Sequence, residues 1–221
     1  MRTAPPMTSP LPLPGRFLCL DGPDGGGKST QAARLVAWLT GLGHEVVACR
    51  DPGGTPLGDK LRAILLDRDG PPIGLRAEML LYAASRAQLV EAIIRPALEA
   101  GRVVVSDRFL LANVAYQGNA GGLDPTLVRE VSLAATGDLL PDLTLLLDLP
   151  GELARARVGR ARDRMEDRGA DYHDRVRAGF LEAARADPDS IRVIDASGDP
   201  DAVFRQIQAE VAHALALDPR P

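Results

Sequence analysis

A glycine-rich turn near the start of the chain carries the residues with the clearest chemistry. Residues 22–30 read GPDGGGKST and fit the phosphate-binding pattern G-x-x-x-x-G-K-S/T. An apolar segment over 16–21 precedes this turn, and helical apolar spacing over 31–40 follows it, which predicts strand, turn and helix in that order. Backbone N–H groups and the positive end of the helix dipole then point at one spot. The predicted nucleotide-binding residues are Gly22, Pro23, Asp24, Gly25, Gly26, Gly27, Lys28, Ser29 and Thr30.

The lysine and the serine of this motif have separate predicted roles. The chain contains 24 arginines and only two lysines, Lys28 and Lys60, so the lysine at the motif position runs against the chain's preference for arginine. This composition disfavours the alternative of a plain glycine turn with a surface lysine. Lys28 would bring a full positive charge to the outer phosphates, and the Ser29 hydroxyl can ligate Mg²⁺.

Further charged residues follow two other predicted strands. Asp51 follows a strand over 45–50, and Asp107 and Arg108 follow a strand over 102–106. Ligands of parallel α/β sheets lie at the carboxyl ends of the strands. A guanidinium at the end of a rigid strand can clamp a phosphate through two hydrogen bonds, and a surface arginine that caps a helix is the alternative for Arg108. We expect Arg108 to lie away from the glycine-rich turn. Asp107 either helps to hold Mg²⁺ through water or orients Arg108, and it can cap a helix in both cases.

Alternating strands and helices must position these side chains. Apolar runs predict five strands, over 16–21, 45–50, 102–106, 142–149 and 191–195. Helical spacing after the first helix predicts further helices over 57–66, 75–100, 124–135 and 151–180, and a last one capped by residues 199–201. This alternation implies parallel strands with right-handed crossovers. We therefore predict the α/β class, with a five-stranded parallel sheet flanked by helices and the P-loop NTPase fold.

Length and composition suit a single domain. The 221 residues are 45% hydrophobic, and we assign the domain to 16–217, with a disordered proline-rich tail over 1–15 and a short tail over 218–221. Cys19 and Cys49 both fall in predicted strands and are interpreted as reduced core thiols. The net charge of −4 argues against a general nucleic-acid binder. No apolar run approaches the ~20 residues of a membrane span, and no secretory leader is present, so we expect a cytoplasmic protein.

Other sequence features narrow the class of P-loop protein. A regulatory GTPase needs an Asn-Lys-x-Asp motif, and neither lysine of this chain follows an asparagine. Motor and transporter ATPases usually end an apolar strand in Asp-Glu, which none of the predicted strands here does. Small kinases that bind an acceptor beside ATP remain.

The chain resembles bacterial thymidylate kinases over about residues 17–207. Seven blocks match in the order of the family: GPD…GKSTQ over 22–31, DPGGT over 51–55, LLY…R over 80–86, DRF over 107–109, YQG over 116–118, DRME over 163–166 and IDA over 194–196. The resemblance implies transfer of the γ-phosphate of ATP to thymidine monophosphate (dTMP), with Mg²⁺, by a homodimer. We therefore expect ATP and dTMP as small-molecule partners and a second copy of the chain, and from the charge and the apolar runs we expect no nucleic acid and no membrane.

The resemblance assigns an acceptor pocket to specific residues. It implies that Asp24 accepts a hydrogen bond from the sugar 3′-hydroxyl, that Tyr82 stacks on the base and that Arg86 donates to a base carbonyl. Tyr82 and Arg86 lie at i, i+4 on one helix face, which fits a shared pocket. The implied substrate-binding residues are Asp24, Asp51, Tyr82, Arg86, Arg108, Asn113, Tyr116 and Gln117. The implied metal-site residues are Ser29 and Asp107.

An arginine-rich stretch resembles the mobile lid of the family, at about 155–168. Some members place a catalytic arginine inside the P-loop, whereas this chain has Gly25 there, so the lid is expected to supply the charge. We expect Arg162 and Arg168 to tolerate substitution; a solvated helix face is the alternative for the whole stretch. The predicted catalytic residues are Lys28, Arg108, Arg157, Arg160 and Arg164.

Two other functions stay open from the residues. The chain could act on another nucleoside monophosphate, such as a uridine or deoxycytidine nucleotide, although Tyr82, Arg86 and Asn113 argue against such a pocket. A non-enzymatic nucleotide-binding module is the second alternative. Such a module needs no acceptor clamp, so Arg108 and Asp24 weigh against it.

Overall fold

The computed structural model describes residues 15–157 and 164–215. Five parallel strands form one sheet in the order β2-β3-β1-β4-β5. The strands are β1 (Arg16–Asp21), β2 (Val46–Arg50), β3 (Val103–Asp107), β4 (Leu143–Asp148) and β5 (Ile191–Asp195). The predicted fold class is confirmed, with every predicted strand present to within two residues at its ends.

Helices cover both faces of the sheet. They are α1 (Lys28–Gly41), α2 (Pro56–Leu66), α3 (Leu75–Leu89), α4 (Arg95–Glu99), α5 (Leu110–Asn113), α6 (Pro125–Thr136), α7 (Gly151–Arg157), α8 (Ala170–Ala186) and α9 (Pro200–Ala214). Two π-helical segments, Val90–Ile94 and Val114–Ala120, connect α3 to α4 and extend α5. In the described ranges, no helix is long and apolar enough to cross a membrane.

Burial on both faces explains the continuous apolar runs of the strands. Along β1, Leu18 and Leu20 pack into the cluster that contains α1 and α9, while Phe17 and Cys19 pack into the cluster with α4. Side chains of a strand alternate between the two faces of its sheet, so β1 needs apolar residues at successive positions. The central strand is therefore rigid, and the turn that follows it starts from a fixed point.

Strand order brings two of the predicted site segments together. β3 pairs directly with β1, with Leu20 opposite Asp107, so both strands end at the same height. The turn after Asp21 therefore lies beside Asp107 and Arg108. β2 pairs with the other side of β3, with Arg50 opposite Asp107, which brings Asp51 to the same edge of the sheet.

The predicted helix over 151–180 is wrong as a single element. It is divided into α7 and α8, and residues 164–169 between them form turns and a bend. Gly169 has an extended conformation (φ −60°, ψ 164°) and precedes α8. Met165, in these turns, is buried in the cluster with Tyr172 and Phe180.

The terminal boundaries can be compared with the structure at one residue. Gly15 was assigned to the tail, but its N–H donates to the carbonyl of Leu98 at 2.9 Å, so it belongs to the folded domain. The rest of the predicted N-terminal tail, the C-terminal tail and residues 158–163 of the predicted lid lie outside the described residues.

Candidate active site

The P-loop wraps closely around Lys28. The side chain of Lys28 is 7% exposed, and its Nζ donates to the carbonyl of Pro23 at 2.7 Å. Burial and the neighbouring Arg108 lower the pKa of Lys28 to about 8. Asp24 lies 4.0 Å from Lys28 Nζ and, with Asp107 and Asp21, opposes this fall in the pKa of Lys28. A bound phosphate would add negative charge beside Lys28 and favour its charged form further.

Gly22 begins the loop where the chain passes against β4. Its φ of 133° is a backbone angle that glycine adopts readily and residues with a side chain rarely adopt. A Cβ at this position would also lie 2.5 Å from the carbonyl oxygen of Leu147. A side chain at this position would push the P-loop off the sheet. The glycine therefore fixes the approach of the loop to the end of β4.

Ser29 and Asp107 form a pair of hard oxygen donors. The Ser29 hydroxyl donates to the Asp107 carboxylate at 2.5 Å, which joins the first turn of α1 to the end of β3. Mg²⁺ in nucleotide sites is held by one or two protein oxygens together with phosphates and water. This pair fits such an ion, and no group of three or more His, Cys, Asp or Glu in the described chain could hold a metal by itself.

Arg108 lies against the P-loop, so the expectation that it would lie away from the loop is wrong. Its guanidinium donates to the Gly22 carbonyl at 2.9 Å and to the Asp21 carboxylate at 3.2 Å, and it also makes a short contact with Asp24. The reason is the direct pairing of β3 with β1. Arg108 also has a φ of 70°, a conformation that a residue with a side chain adopts at a cost of roughly 1–3 kcal/mol.

Asp21 holds this junction together and was missed by the sequence reasoning. It is fully buried and accepts hydrogen bonds from the N–H groups of Gly22 and Ala112, at 2.9 and 3.1 Å, besides that from Arg108. Burial raises the pKa of Asp21, and Arg108 opposes this rise. A carboxylate that ends an otherwise apolar strand was the available signal.

Asp24 remains an acceptor despite its position beside the phosphate cradle. Its second oxygen accepts from the Tyr116 hydroxyl at 2.7 Å. Burial disfavours the charged form, but Arg108 and Lys28 outweigh burial and lower the pKa of Asp24 to about 2. Asp24 is therefore ionised at neutral pH and can only accept hydrogen bonds.

A second buried group lies at the far end of the site. Arg86 is 1% exposed, and its Nε donates to Asp51 at 2.5 Å, while its Nη1 donates to the Asn113 side chain at 3.2 Å. Burial raises the pKa of Asp51, against the opposing effect of Arg86. The other Asp51 oxygen is buried and has no hydrogen-bond partner in the described part of the chain.

One cavity of about 400 Å³ connects the two ends. The predicted residues that line it are Asp24, Gly25, Gly27, Lys28, Ser29, Thr30, Asp51, Tyr82, Arg86, Asp107, Arg108, Asn113, Tyr116 and Gln117. Gly22, Pro23 and Gly26 support the loop from outside this lining. The roles assigned to these residues stay predictions.

Several lining residues were not predicted. They are Arg50, Pro52, Arg62, Leu66, Phe109, Ala112, Met165 and Glu166. Arg50 ends β2, and the rule that places ligands at strand ends could have found it. Arg62 could not be predicted as a site residue, because a single arginine on α2 shows its role only once the position of the helix beside the cavity is known.

Two of the lid arginines that were predicted to be catalytic, Arg157 and Arg164, lie in the described residues and donate to backbone carbonyls. Arg157 donates to the carbonyls of Ala196 and Ser197 at 2.8 and 3.1 Å. Arg164 donates to the carbonyl of Pro71 at 3.0 Å, and its Nη1 is buried without a partner in the described residues. Arg160 and Arg162 lie outside the described residues.

Arg168 makes closer contacts than the expectation of tolerance implied. It pairs with the buried carboxylate of Glu78 at 2.7 Å and donates to the Tyr172 hydroxyl at 2.7 Å. A substitution of Arg168 therefore removes the counter-charge of a buried acid.

The structure gives a physical reason for Gly25. Its φ is 79°, and a Cβ there would lie 2.7 Å from the carbonyl oxygen of Ala154 on α7. An arginine at this P-loop position would collide with the helix that leads into the lid. The close packing of α7 on the P-loop thus excludes the loop arginine and leaves the charge to be supplied from elsewhere.

Comparisons with known proteins show the family of the chain. A family model described as Thymidylate kinase matches residues 20–207. A thymidylate kinase of Leifsonia xyli subsp. xyli is 51% identical over 208 residues, covering 93% of this chain and 98% of the relative, and one of Clavibacter sepedonicus is 50% identical over 206 residues, covering 92% and 97%. The crystal structure of thymidylate kinase from Ehrlichia chaffeensis superposes with a TM-score of 0.75 at 26% identity, covering 89% of this chain and 98% of that one.

The lowered pKa of Lys28 predicts proton uptake on nucleotide binding. With a pKa of about 8, Lys28 is half neutral at pH 8 in the free protein, and bound phosphate favours its charged form. Calorimetry of ATP binding in two buffers of different ionisation enthalpy should therefore show uptake of about half a proton at pH 8, falling towards zero at pH 6.5, where Lys28 is charged in both states.

The second lysine supplies the control for this measurement. Lys60 is exposed on α2, so Lys60→Met should keep the uptake at pH 8, whereas Lys28→Met should lose it. Equal uptake by the wild type and Lys28→Met would show that another group titrates.

Proposed function

The chain belongs to the thymidylate kinase family, and from this premise we propose that its cavity transfers the γ-phosphate of ATP to dTMP, giving dTDP and ADP. The observation that carries the proposal is the single cavity that has Lys28 and Ser29 at one end and Tyr82 and Arg86 at the other. Arg108 lies between these ends and contacts the P-loop directly. Such a cavity brings a triphosphate and an acceptor phosphate to one point.

Positioning and charge neutralisation are the chemistry that this site has to supply. Phosphoryl transfer needs the attacking and leaving oxygens in line, and it needs cations around the transferred group. Lys28 faces the outer phosphates of ATP. Ser29 and Asp107 would hold Mg²⁺ through their oxygens, and the ion would supply positive charge against the phosphates.

The acceptor half uses preformed contacts. Arg108 is fixed by the Gly22 carbonyl and by two carboxylates, so its guanidinium is oriented before dTMP arrives. Both terminal nitrogens already donate to protein acceptors, so a bidentate contact of the planar fork with a phosphate monoester requires that at least one of these hydrogen bonds is exchanged for the phosphate. Asp24 accepts from the sugar 3′-hydroxyl, and the Tyr116 ring, held by its bond to Asp24, packs against the deoxyribose and leaves no room for a 2′-hydroxyl.

The base is read at the buried end of the cavity. Tyr82 stacks on the thymine ring, Arg86 donates to a base carbonyl, and Asp51 holds Arg86 through the bond at 2.5 Å. Asn113 and Gln117 offer amide groups to the base edge. An arginine and two amides form hydrogen bonds that a purine or a cytosine would match less well.

The lid completes the site on closure. Arg157 and Arg164 donate to backbone carbonyls in the structure. On closure, one of these two arginines leaves its carbonyl and contacts the phosphates, or Arg160 supplies the charge instead. Charge that arrives only on closure favours the transition state over the bound ground state.

An exposed apolar face supports the homodimer. Leu57 and Ile64 on α2 are 48% and 49% exposed, and Leu80 on the adjacent α3 is 53% exposed. Burying these side chains against a second copy would remove apolar surface from water.

We place the action of the enzyme in the cytoplasm, where both substrates are available.

A panel of acceptors tests the proposed function. With ATP and Mg²⁺, ADP release should be fastest on dTMP, by about tenfold or more over dUMP, dCMP, dGMP and UMP, because the pocket pairs with the thymine edge. A better acceptor in the panel would reassign the substrate, and no turnover on any acceptor would favour a non-enzymatic module.

Lys28→Ala should lose about 100-fold or more of kcat, and Lys60→Ala should not.

Arg108→Ala should damage acceptor use more than ATP binding. We expect KM for dTMP to rise about 100-fold, since a bidentate phosphate contact is lost, and ATP affinity to fall by a smaller factor, because Arg108 also holds the Gly22 carbonyl. Kinetics and ATP calorimetry measure the two effects. Arg129→Ala, at an exposed position of α6, is the control. An equal loss for both ligands would make Arg108 a structural residue of the P-loop.

Alanine at one or more of Arg157, Arg160 and Arg164 should lower kcat by about 100-fold, with a much smaller change in dTMP affinity. The charge is needed in the transition state, so single-turnover kinetics should show the loss. Arg155 on α7 is 41% exposed and only loosely paired with Asp174, so Arg155→Ala serves as the control. Wild-type kcat in all three variants would mean that the stretch is a solvated face.

A further inference from the structure

Glu78 is a buried carboxylate that the mechanism above does not use. It is 1% exposed and lies on α3, four residues before Tyr82 and eight before Arg86. These three positions share one helix face, which is the face turned towards the base end of the cavity. A buried acid on this face needs partners and therefore constrains the groups around it.

A chain of hydrogen bonds joins Glu78 to Arg86. Glu78 Oε1 accepts from Gln117 Nε2 at 2.8 Å, and Gln117 Oε1 accepts from Asn113 Nδ2 at 2.7 Å. Asn113 Oδ1 in turn accepts from Arg86 Nη1 at 3.2 Å. All four side chains are at most 2% exposed.

The two ends of this chain fix the orientation of both amides. An isolated amide side chain can turn over and exchange its donor for its acceptor. The carboxylate of Glu78, which is paired with Arg168, accepts from Gln117, so Gln117 presents its NH₂ group to it. Asn113 must then point its oxygen at Arg86. The guanidinium of Arg86 only donates and demands the same orientation from the other end.

We propose that Glu78 is a positioning residue that sets the donor and acceptor pattern with which Asn113 and Gln117 read the pyrimidine. This inference rests on the proposed function in taking the ligand to be a thymine nucleotide. Thymine and cytosine differ at position 4, where a carbonyl replaces an amino group, and at N3, where a donor replaces an acceptor. A buried site with one fixed pattern rejects the wrong edge because its own polar groups are left unpaired.

Arg168 has a separable part in this arrangement. It donates to Glu78 Oε2 at 2.7 Å and so supplies the counter-charge of the buried acid, but it makes none of the hydrogen bonds to the amides. Loss of Arg168 removes the ion pair and keeps the carboxylate. Loss of the Glu78 charge removes both the ion pair and the acceptor that orients Gln117.

Glu78→Gln and Arg168→Gln form a matched pair of variants. Glutamine at position 78 has the shape of glutamate but can donate or accept, so both amide orientations become possible. In Glu78→Gln, we expect KM for dTMP to rise about tenfold and the ratio of the dissociation constants of dCMP and dTMP to fall about tenfold. We expect kcat and KM for ATP of this variant to stay within about twofold of the wild type. Arg168→Gln should keep that ratio within about twofold, although its melting temperature should fall.

Two outcomes of these measurements would overturn the inference. The first is a Glu78→Gln variant with the wild-type KM and ratio. The second is an equal loss in both variants, which would make the ion pair, and not the acceptor, responsible.

Side-chain amide NMR tests the orientation without substrate. The wild type should show one slowly exchanging NH₂ pair each for Gln117 and Asn113, and so should Arg168→Gln, whereas Glu78→Gln should show a second set or broadened signals. Two sets in the wild type would overturn the inference, even if no Glu78 variant folded. A wild type with single sets but no activity on dTMP would instead reject the proposed function and leave the role of Glu78 intact.

Discussion

The ion pair between Asp21 and Arg108 is the contact on which the site depends. It lies where β1 and β3 end side by side, and the same carboxylate accepts from Gly22 and Ala112, so the P-loop and the segment after β3 start from one buried point. Removing one partner of such a pair leaves a buried charge alone and typically costs about 3–5 kcal/mol. Arg108 then passes this constraint to Asp24 and Tyr116, and both halves of the cavity are positioned together.

The other buried acids of the site are also paired with arginines. Arg86 is paired with Asp51 and orients Asn113, while Glu78 is paired with Arg168 and orients Gln117. Each buried acid thus holds a group that faces the ligand. Lys28 is different, because burial and Arg108 lower its pKa to about 8 despite Asp24 at 4.0 Å, so bound phosphates would favour its charged form further. The side chains at the acceptor end are therefore held by paired charges, whereas the charge of Lys28 at the nucleotide end depends on the anion beside it.

Local patterns in the sequence predicted the strands and the P-loop, because apolar runs and glycine turns act over a few residues. The residues of the acceptor pocket that line the cavity were assigned by the resemblance to bacterial thymidylate kinases and not by local patterns. Local patterns did not predict that Arg108 touches Gly22, since this contact depends on β3 pairing with β1, and strand order is not a local property. The division of the predicted helix over 151–180 into α7 and α8 was also missed, and Met165 in the turns before α8 is buried in a tertiary cluster that local patterns do not show. Glu78 was missed because its partners Gln117 and Arg168 lie 39 and 90 residues away.

The central claim is that one cavity holds the acceptor phosphate at Arg108, beside the P-loop that holds ATP. A crystal structure of the protein with dTMP and ADP tests it most directly. The account predicts the dTMP phosphate within about 2.7–3.2 Å of the Arg108 guanidinium, with the thymine ring between Tyr82 and Arg86 and the ADP phosphates around Lys28. A dTMP phosphate bound away from Arg108, or a base outside the pocket of Tyr82 and Arg86, would contradict the account.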